Sequence, residues 1–154
     1  MIEIATLFSG SSGNCTLVKS EESAILIDAG RNCKAVTTNL SSLGLTLEDI
    51  DAIFITHEHR DHISALDVMM RKSPIPIYVT LPSARELCRK EDVAKNVCIQ
   101  KGLESSVRIG DLTVSSFPLP HDSAAHVVGR RKLYAFRNVD RRLLRPMGDG
   151  GGGR

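Results

Sequence analysis

Residues 56–62 read Thr56-His57-Glu58-His59-Arg60-Asp61-His62 and follow directly on an apolar run, Ala52-Ile53-Phe54-Ile55. That run has the length and β-branched content of a buried strand. From Asp61 onward the spacing changes, because Ile63, Leu66, Met69 and Met70 recur at offsets of three and four, a helical period. Three of the chain's five histidines and a carboxylate therefore fall where a strand ends and a helix begins. Open α/β sheets bind their ligands at such places. While the chain stays extended, His57 and His59 can point the same way; Asp61 and His62 lie in the following turn. One histidine on a polar turn is ordinarily a solvated surface residue. Three in six positions beside an aspartate point to metal. Two imidazoles on one side, and a carboxylate with an imidazole on the other, suit two adjacent borderline-soft divalent cations. Zinc is the first choice and manganese the second.

The rest of the chain supplies the scaffold. A length of 154 residues fits one domain with a sizeable core. Ile2–Phe8, Cys15–Val18 and Ser23–Asp28 read as a meander of strands, broken by the turn cluster Ser9-Gly10-Ser11-Ser12-Gly13-Asn14 and by Glu21-Glu22. The Ser/Gly cluster reads first as a flexible hairpin connection and second as a nest of backbone N–H groups able to take a phosphate. Asp28, at the end of a buried strand, either caps a loop or supports the metal site. Val36, Leu40 and Leu43 have helical spacing before Gly44, and Thr46–Asp49 resembles a capped turn. After the histidines the pattern predicts a helix over about 60–72, a strand at 75–81, a helix over 82–91 and strands at 97–100, 107–109 and 112–117. Strand and helix alternate, which makes the class α/β. The last strand delivers Pro118-Leu119-Pro120-His121-Asp122. Two prolines hold the chain extended before His121, which reduces the freedom lost on ligation. Alone, such a histidine is ordinarily a hydrogen-bonded surface residue; beside the earlier motif it is the obvious third ligand of the first cation. Asp122 either hydrogen-bonds an imidazole or is solvated at the surface.

His-x-His-x-Asp-His at 57–62 is also the signature of the metallo-β-lactamase superfamily, which the stretch resembles without departure. Phe8-Ser-Gly-Ser-Ser-Gly-Asn-Cys15 followed by Leu26-Ile-Asp-Ala-Gly30 resembles the opening of the YycJ/WalJ-like branch. The resemblance implies the N-terminal part of a metallo-β-lactamase-like αβ/βα sandwich. It matches His57, His59 and His121 to the first metal site, and Asp61 and His62, taken as the catalytic pair, to the second. Asp28 is matched to a residue that supports the centre without ligating. Glu58 and Arg60, on alternate sides of the motif, are expected to face away and solvate the turn, with a phosphate as the other partner open to Arg60. Two such cations share a water, lower its pKa toward about 7 and supply the attacking hydroxide. The branch implies an exonuclease-like phosphodiesterase acting on nucleic acid. A thioester or small-ester hydrolase is the alternative, and an inactive metal-binding fragment the third reading.

The resemblance is carried by residues 1–125. Residues 126–154 hold seven arginines and Lys132 against Asp140 and Asp149, a balance of +6, and end in a glycine run. Residues 1–125 carry a balance of −4. The Arg/Gly-rich segment shows no clear alternation of elements and reads as a disordered or frame-shifted tail, with a nucleic-acid-binding arm as the lesser reading. The C-terminal half of the family domain, with a bridging aspartate and a last histidine, is not found, so the second metal site is expected to be incomplete. A sheet without its partner sheet is expected to expose an apolar face. No apolar run approaches the roughly 20 residues that cross a bilayer, and no signal peptide is visible at Met1-Ile2-Glu3-Ile4. The four cysteines, Cys15, Cys33, Cys88 and Cys98, form no C-x-x-C pair. Reduced thiols in a cytoplasmic protein are the default expectation.

Overall fold

The computed structural model describes residues 1–100, 105–118 and 132–138. A six-stranded sheet runs in sequential order from β1 to β6. Strands β1 (Glu3–Phe8), β2 (Cys15–Lys19) and β3 (Ala24–Ile27) form an antiparallel meander. Strands β4 (Ala52–Phe54), β5 (Ile77–Thr80) and β6 (Val97–Gln100) continue it in parallel. Each parallel step needs a crossover, and right-handed crossovers between sequential strands put every helix on one face. These helices are α1 (Cys33–Ser42), α2 (Arg60–Ile63), α3 (Leu66–Lys72), α4 (Leu81–Leu87) and α5 (Glu91–Ala94). A second sheet pairs β7 (Ser105–Ile109), β8 (Leu112–Pro118) and β9 (Lys132–Asn138), all antiparallel.

The two faces of the large sheet belong to two cores. Side chains alternate along a strand, so Leu17, Leu26, Ile53 and Ile77 turn toward the helices and meet Val36, Leu40, Leu66 and Met69. Their neighbours Val18, Ile25 and Phe54 turn the other way and pack with Leu112 and Val114 of the small sheet. Burial on both faces is why β3 and β4 read as unbroken apolar runs. The ring of Phe54 stacks on Tyr78 with centroids 4.8 Å apart. A buried side chain of this size contributes roughly 1.5–3 kcal/mol relative to an exposed one.

Four sequence expectations change, the first being that the helix expected over 82–91 stops at Leu87 and a separate one, α5, starts at Glu91. The apolar face expected to lie open is covered, since Val18, Ile25, Ala52 and Phe54 are fully buried beneath Leu112 and Val114. The single helix expected over 60–72 is two, broken at Ser64–Ala65. The break has a cause: Ala65 N–H donates to Ala29 O at 2.9 Å and Ser64 Oγ to Arg31 O at 2.5 Å, so the β3–α1 loop takes groups that a continuous helix would use or crowd. Strand β9 lies inside 126–154, where no element was expected, and pairs along the whole of β8 from Leu112↔Asn138 to Pro118↔Lys132. The other residues of that segment lie outside those described.

Candidate metal centre

The β3 and β4 strands end side by side, and the site grows from their carboxyl ends. Asp28 follows β3 in a left-handed conformation, φ 61°. Its backbone N–H donates to Phe54 O at 2.8 Å. The carboxylate, 5% exposed, lies under the turn after β4. There Oδ1 accepts from Thr56 N–H at 2.8 Å and Oδ2 from Thr56 Oγ1 at 2.8 Å. Oδ2 also lies 2.7 Å from His62 Nδ1. An ionised carboxylate only accepts, so this contact puts the His62 proton on Nδ1 and leaves the lone pair on Nε2. Carboxylate–imidazole pairs of this form orient metal-ligating histidines.

The other motif side chains gather around that ring. His62 and His57 have ring centroids 4.0 Å apart, and His57 and His59 4.5 Å in an edge-on arrangement. His57 is buried, with Nδ1 2.9 Å from Thr56 Oγ1, so Nε2 is its nitrogen of choice for a ligand. Asp61 Oδ2 stands 3.5 Å from His62 Nε2. Glu58, expected to solvate the turn, instead accepts from the buried Ser83 Oγ of α4 at 2.6 Å and anchors the motif to that helix.

Sequence reasoning missed a third set of contacts. Asn14 N–H donates to Asp61 O at 2.8 Å, and its Nδ2 lies 3.2 Å from Asp61 Oδ2 and 3.3 Å from His62 Nε2. The Ser/Gly loop is thus fastened to the histidine motif. Gly30 N–H closes the corner on Asn14 O at 2.8 Å. A Cβ on Gly30 would sit 2.0 Å from Asp61 O and 2.4 Å from Asn14 N, so only glycine fits there. The available signal was the pairing of Ser-Gly-Ser-Ser-Gly-Asn with Asp-Ala-Gly, which the resemblance used without assigning either a contact.

Among the described residues, no three histidine, cysteine, aspartate or glutamate side chains form a group able to hold a metal ion by themselves. His121 and Asp122, the remaining expected site residues, lie outside the described residues. His57, His59, Asp61 and His62 nonetheless meet at one corner, with the His62 tautomer fixed by Asp28, and imidazole and carboxylate are the donor types that borderline-soft divalent cations take. The four cysteines are free. No described helix is long and apolar enough to cross a membrane.

The chain is 33% identical over 146 residues to the exodeoxyribonuclease YycJ of Bacillus anthracis, covering 92% of this chain and 52% of that protein. It is 34% identical over 141 residues to the exodeoxyribonuclease WalJ of Streptococcus pneumoniae serotype 2, covering 90% and 51%. The chain therefore spans about half the length of the curated relatives it matches. Among solved structures, the Rm3 metallo-beta-lactamase superposes with a TM-score of 0.68 at 19% identity, over 89% of this chain and 54% of that one, and shows the shared fold. The family model of the metallo-beta-lactamase superfamily matches residues 9–152, which carries the likeness past residue 125, where the sequence motifs end. By motif, fold and family match alike, this chain belongs to the metallo-β-lactamase superfamily.

Proposed function

We propose that the chain carries the N-terminal half of a metal-dependent phosphodiesterase that degrades nucleic acid from an end, as the names of its relatives YycJ and WalJ describe for those proteins. The reading rests above all on one observation, the clustering of His57, His59 and His62 rings at 4.0–4.5 Å above the Asp28 carboxylate. In this reading His57, His59 and His121 hold one divalent ion, and Asp61 and His62 a second. Zinc suits the imidazole-rich set, with manganese the alternative. When bound, such ions supply Lewis acidity and lower the pKa of a coordinated water. The chain's own residues do the rest. Asp28 keeps Nε2 of His62 unprotonated and fixes its plane. Thr56 does the same for His57 through Nδ1. Asn14 holds Asp61 in register through both backbone and side chain. The free thiols accord with a cytoplasmic setting.

An end-labelled single-stranded DNA tests the reading on this chain loaded with zinc or manganese. Release of mononucleotides that stops with a chelator and in His57→Ala is the expected result. Cleavage of an acyl thioester without cleavage of DNA replaces it with the ester-hydrolase alternative. Failure to take up metal at all reduces the chain to an inert fragment.

A further inference from the structure

An open cleft of about 650 Å³ adjoins the histidine motif, lined by Ser11 and Ser12 of the Ser/Gly loop, Arg31, Arg60, Ser64 and Asp61. The metal centre accounts for Asp61 alone. Two guanidinium groups and the Ser11 and Ser12 hydroxyls remain, since Ser64 Oγ donates to Arg31 O. A second cleft, of mixed charge, is lined by Glu58, His59, Arg85 and the Arg89–Glu86 ion pair, and Arg60 borders both. Among the described residues, no hydrogen bond or ion pair occupies the guanidinium of Arg31 or Arg60.

Arg31 carries the strongest sign that its side chain is wanted. Its backbone sits at φ 65°, in the left-handed region that glycine or asparagine adopts at less cost. Non-glycine residues persist in such conformations where the surroundings over-determine them, and they cluster at ligand sites. The surroundings here are built around the arginine. Its Cγ packs so closely on Gly13 that a Cβ there would lie 2.1 Å away. The guanidinium stands 4.9 Å from the centre of the Phe8 ring, a cation–π contact that orients it. Its carbonyl takes the Ser64 hydroxyl, which ties it to the helix break after the metal motif.

We propose that this cleft is a phosphate subsite for the substrate strand, in which Arg31 and Arg60, with the Ser11 and Ser12 hydroxyls, grip a backbone phosphate next to the one at the metal centre. The inference rests on the nuclease reading above for its ligand class. Planar guanidinium forks match phosphate oxygens bidentately, and hydroxyls complete the set. The grip is to backbone, so it takes any base sequence. It also gives the Ser/Gly loop a function beyond joining two strands.

Fluorescence anisotropy of a labelled single-stranded oligonucleotide, in chelator so that the strand survives, tests this at several salt concentrations. Arg31→Gly suits the local backbone while removing the charge, and Arg60→Ala changes an exposed side chain. Each is expected to weaken binding about 3–10-fold and to reduce the slope of log affinity against log salt by about 0.7, one phosphate contact on a single strand. Arg31→Lys is expected to keep the slope, and Arg71→Ala, outside the cleft, to behave as the parent. Unchanged binding in both Arg31→Gly and Arg60→Ala overturns the subsite and moves the contacts elsewhere, for instance to the basic residues 126–154. No binding by the parent chain overturns it as well. Metal-dependent hydrolysis of bis(p-nitrophenyl) phosphate is read on the same proteins. Hydrolysis with unchanged oligonucleotide binding sinks the subsite and spares the hydrolase, whereas weakened binding with no hydrolysis by the parent does the reverse.

Discussion

Asp28 shows how one carboxylate decides the chemistry of a ring it does not share a strand with. It accepts from Thr56 twice and meets His62 Nδ1 at 2.7 Å. Asp28→Asn keeps the shape but turns part of this acceptor into a donor. An amide nitrogen facing Nδ1 favours the opposite tautomer, with the proton on Nε2, where a metal would bind. Metal affinity is therefore expected to fall about 10–100-fold, read by competition with a chromophoric chelator. Equal affinity in the two proteins would remove Asp28 from the metal centre. The residue was legible as important from its place at the end of an apolar strand, but its partner was not. Nothing in a linear pattern says that residue 28 meets residue 62, because that meeting depends on β3 and β4 lying side by side in parallel, Ile27 opposite Phe54.

At the scale of elements, the corner between β3 and α1 is the clasp on which the histidine motif closes. Ala29 N–H donates to His62 O and Gly30 N–H to Asn14 O, each at 2.8 Å, while Ala65 N–H returns to Ala29 O at 2.9 Å. Gly30→Ala drives a methyl into two backbone atoms at once. A loss of about 3 kcal/mol is expected, at the upper end of overpacking costs. Gly44 is the contrast. It sits at φ +75° with open space where a Cβ would be, so Gly44→Ala costs about 1 kcal/mol from backbone strain alone. Urea unfolding of both variants separates close approach from conformation, and equal losses would refute the clasp. Most elements were legible because hydrophobic period and turn residues mark them locally: the meander, α1 with Gly44 after it, and the strands at 97–100 and 112–117. The break at Ser64–Ala65 and the Glu58–Ser83 contact were not, since both are made by residues distant in sequence. Strand β9 was overlooked because its short apolar run, Leu133-Tyr134-Ala135-Phe136, lies within an arginine-rich segment that was read as a tail by its composition.

For the whole molecule, burial of acidic protons on both sides of the sheet sets a shared alkaline limit. Burial, and then the Asp28 carboxylate, push the Cys15 thiol up to about 12 from 9.0. Burial raises Cys33, with Lys72 opposing, and burial followed by Cys98 raises Tyr78. The sign is the same for all three. Each group holds its proton more tightly folded than unfolded, so its contribution is whole below the unfolded pKa and is lost as pH climbs through it toward the folded value. For Cys15 the window opens near pH 9 and closes near 12. At pH 10.5 this one thiol is expected to cost about 2 kcal/mol of stability, from 1.36 kcal/mol per pH unit. Cys15→Ala removes the titration and nearly preserves the volume. Urea unfolding at pH 8, 9.5 and 10.5 should therefore show the parent losing stability faster than Cys15→Ala, with the remaining slope shared by the other groups that titrate there, Cys33, Tyr78 and the Glu91-paired Lys95 among them. Parallel curves would mean that the thiol ionises in place at no cost, and that water reaches the core beneath the metal motif.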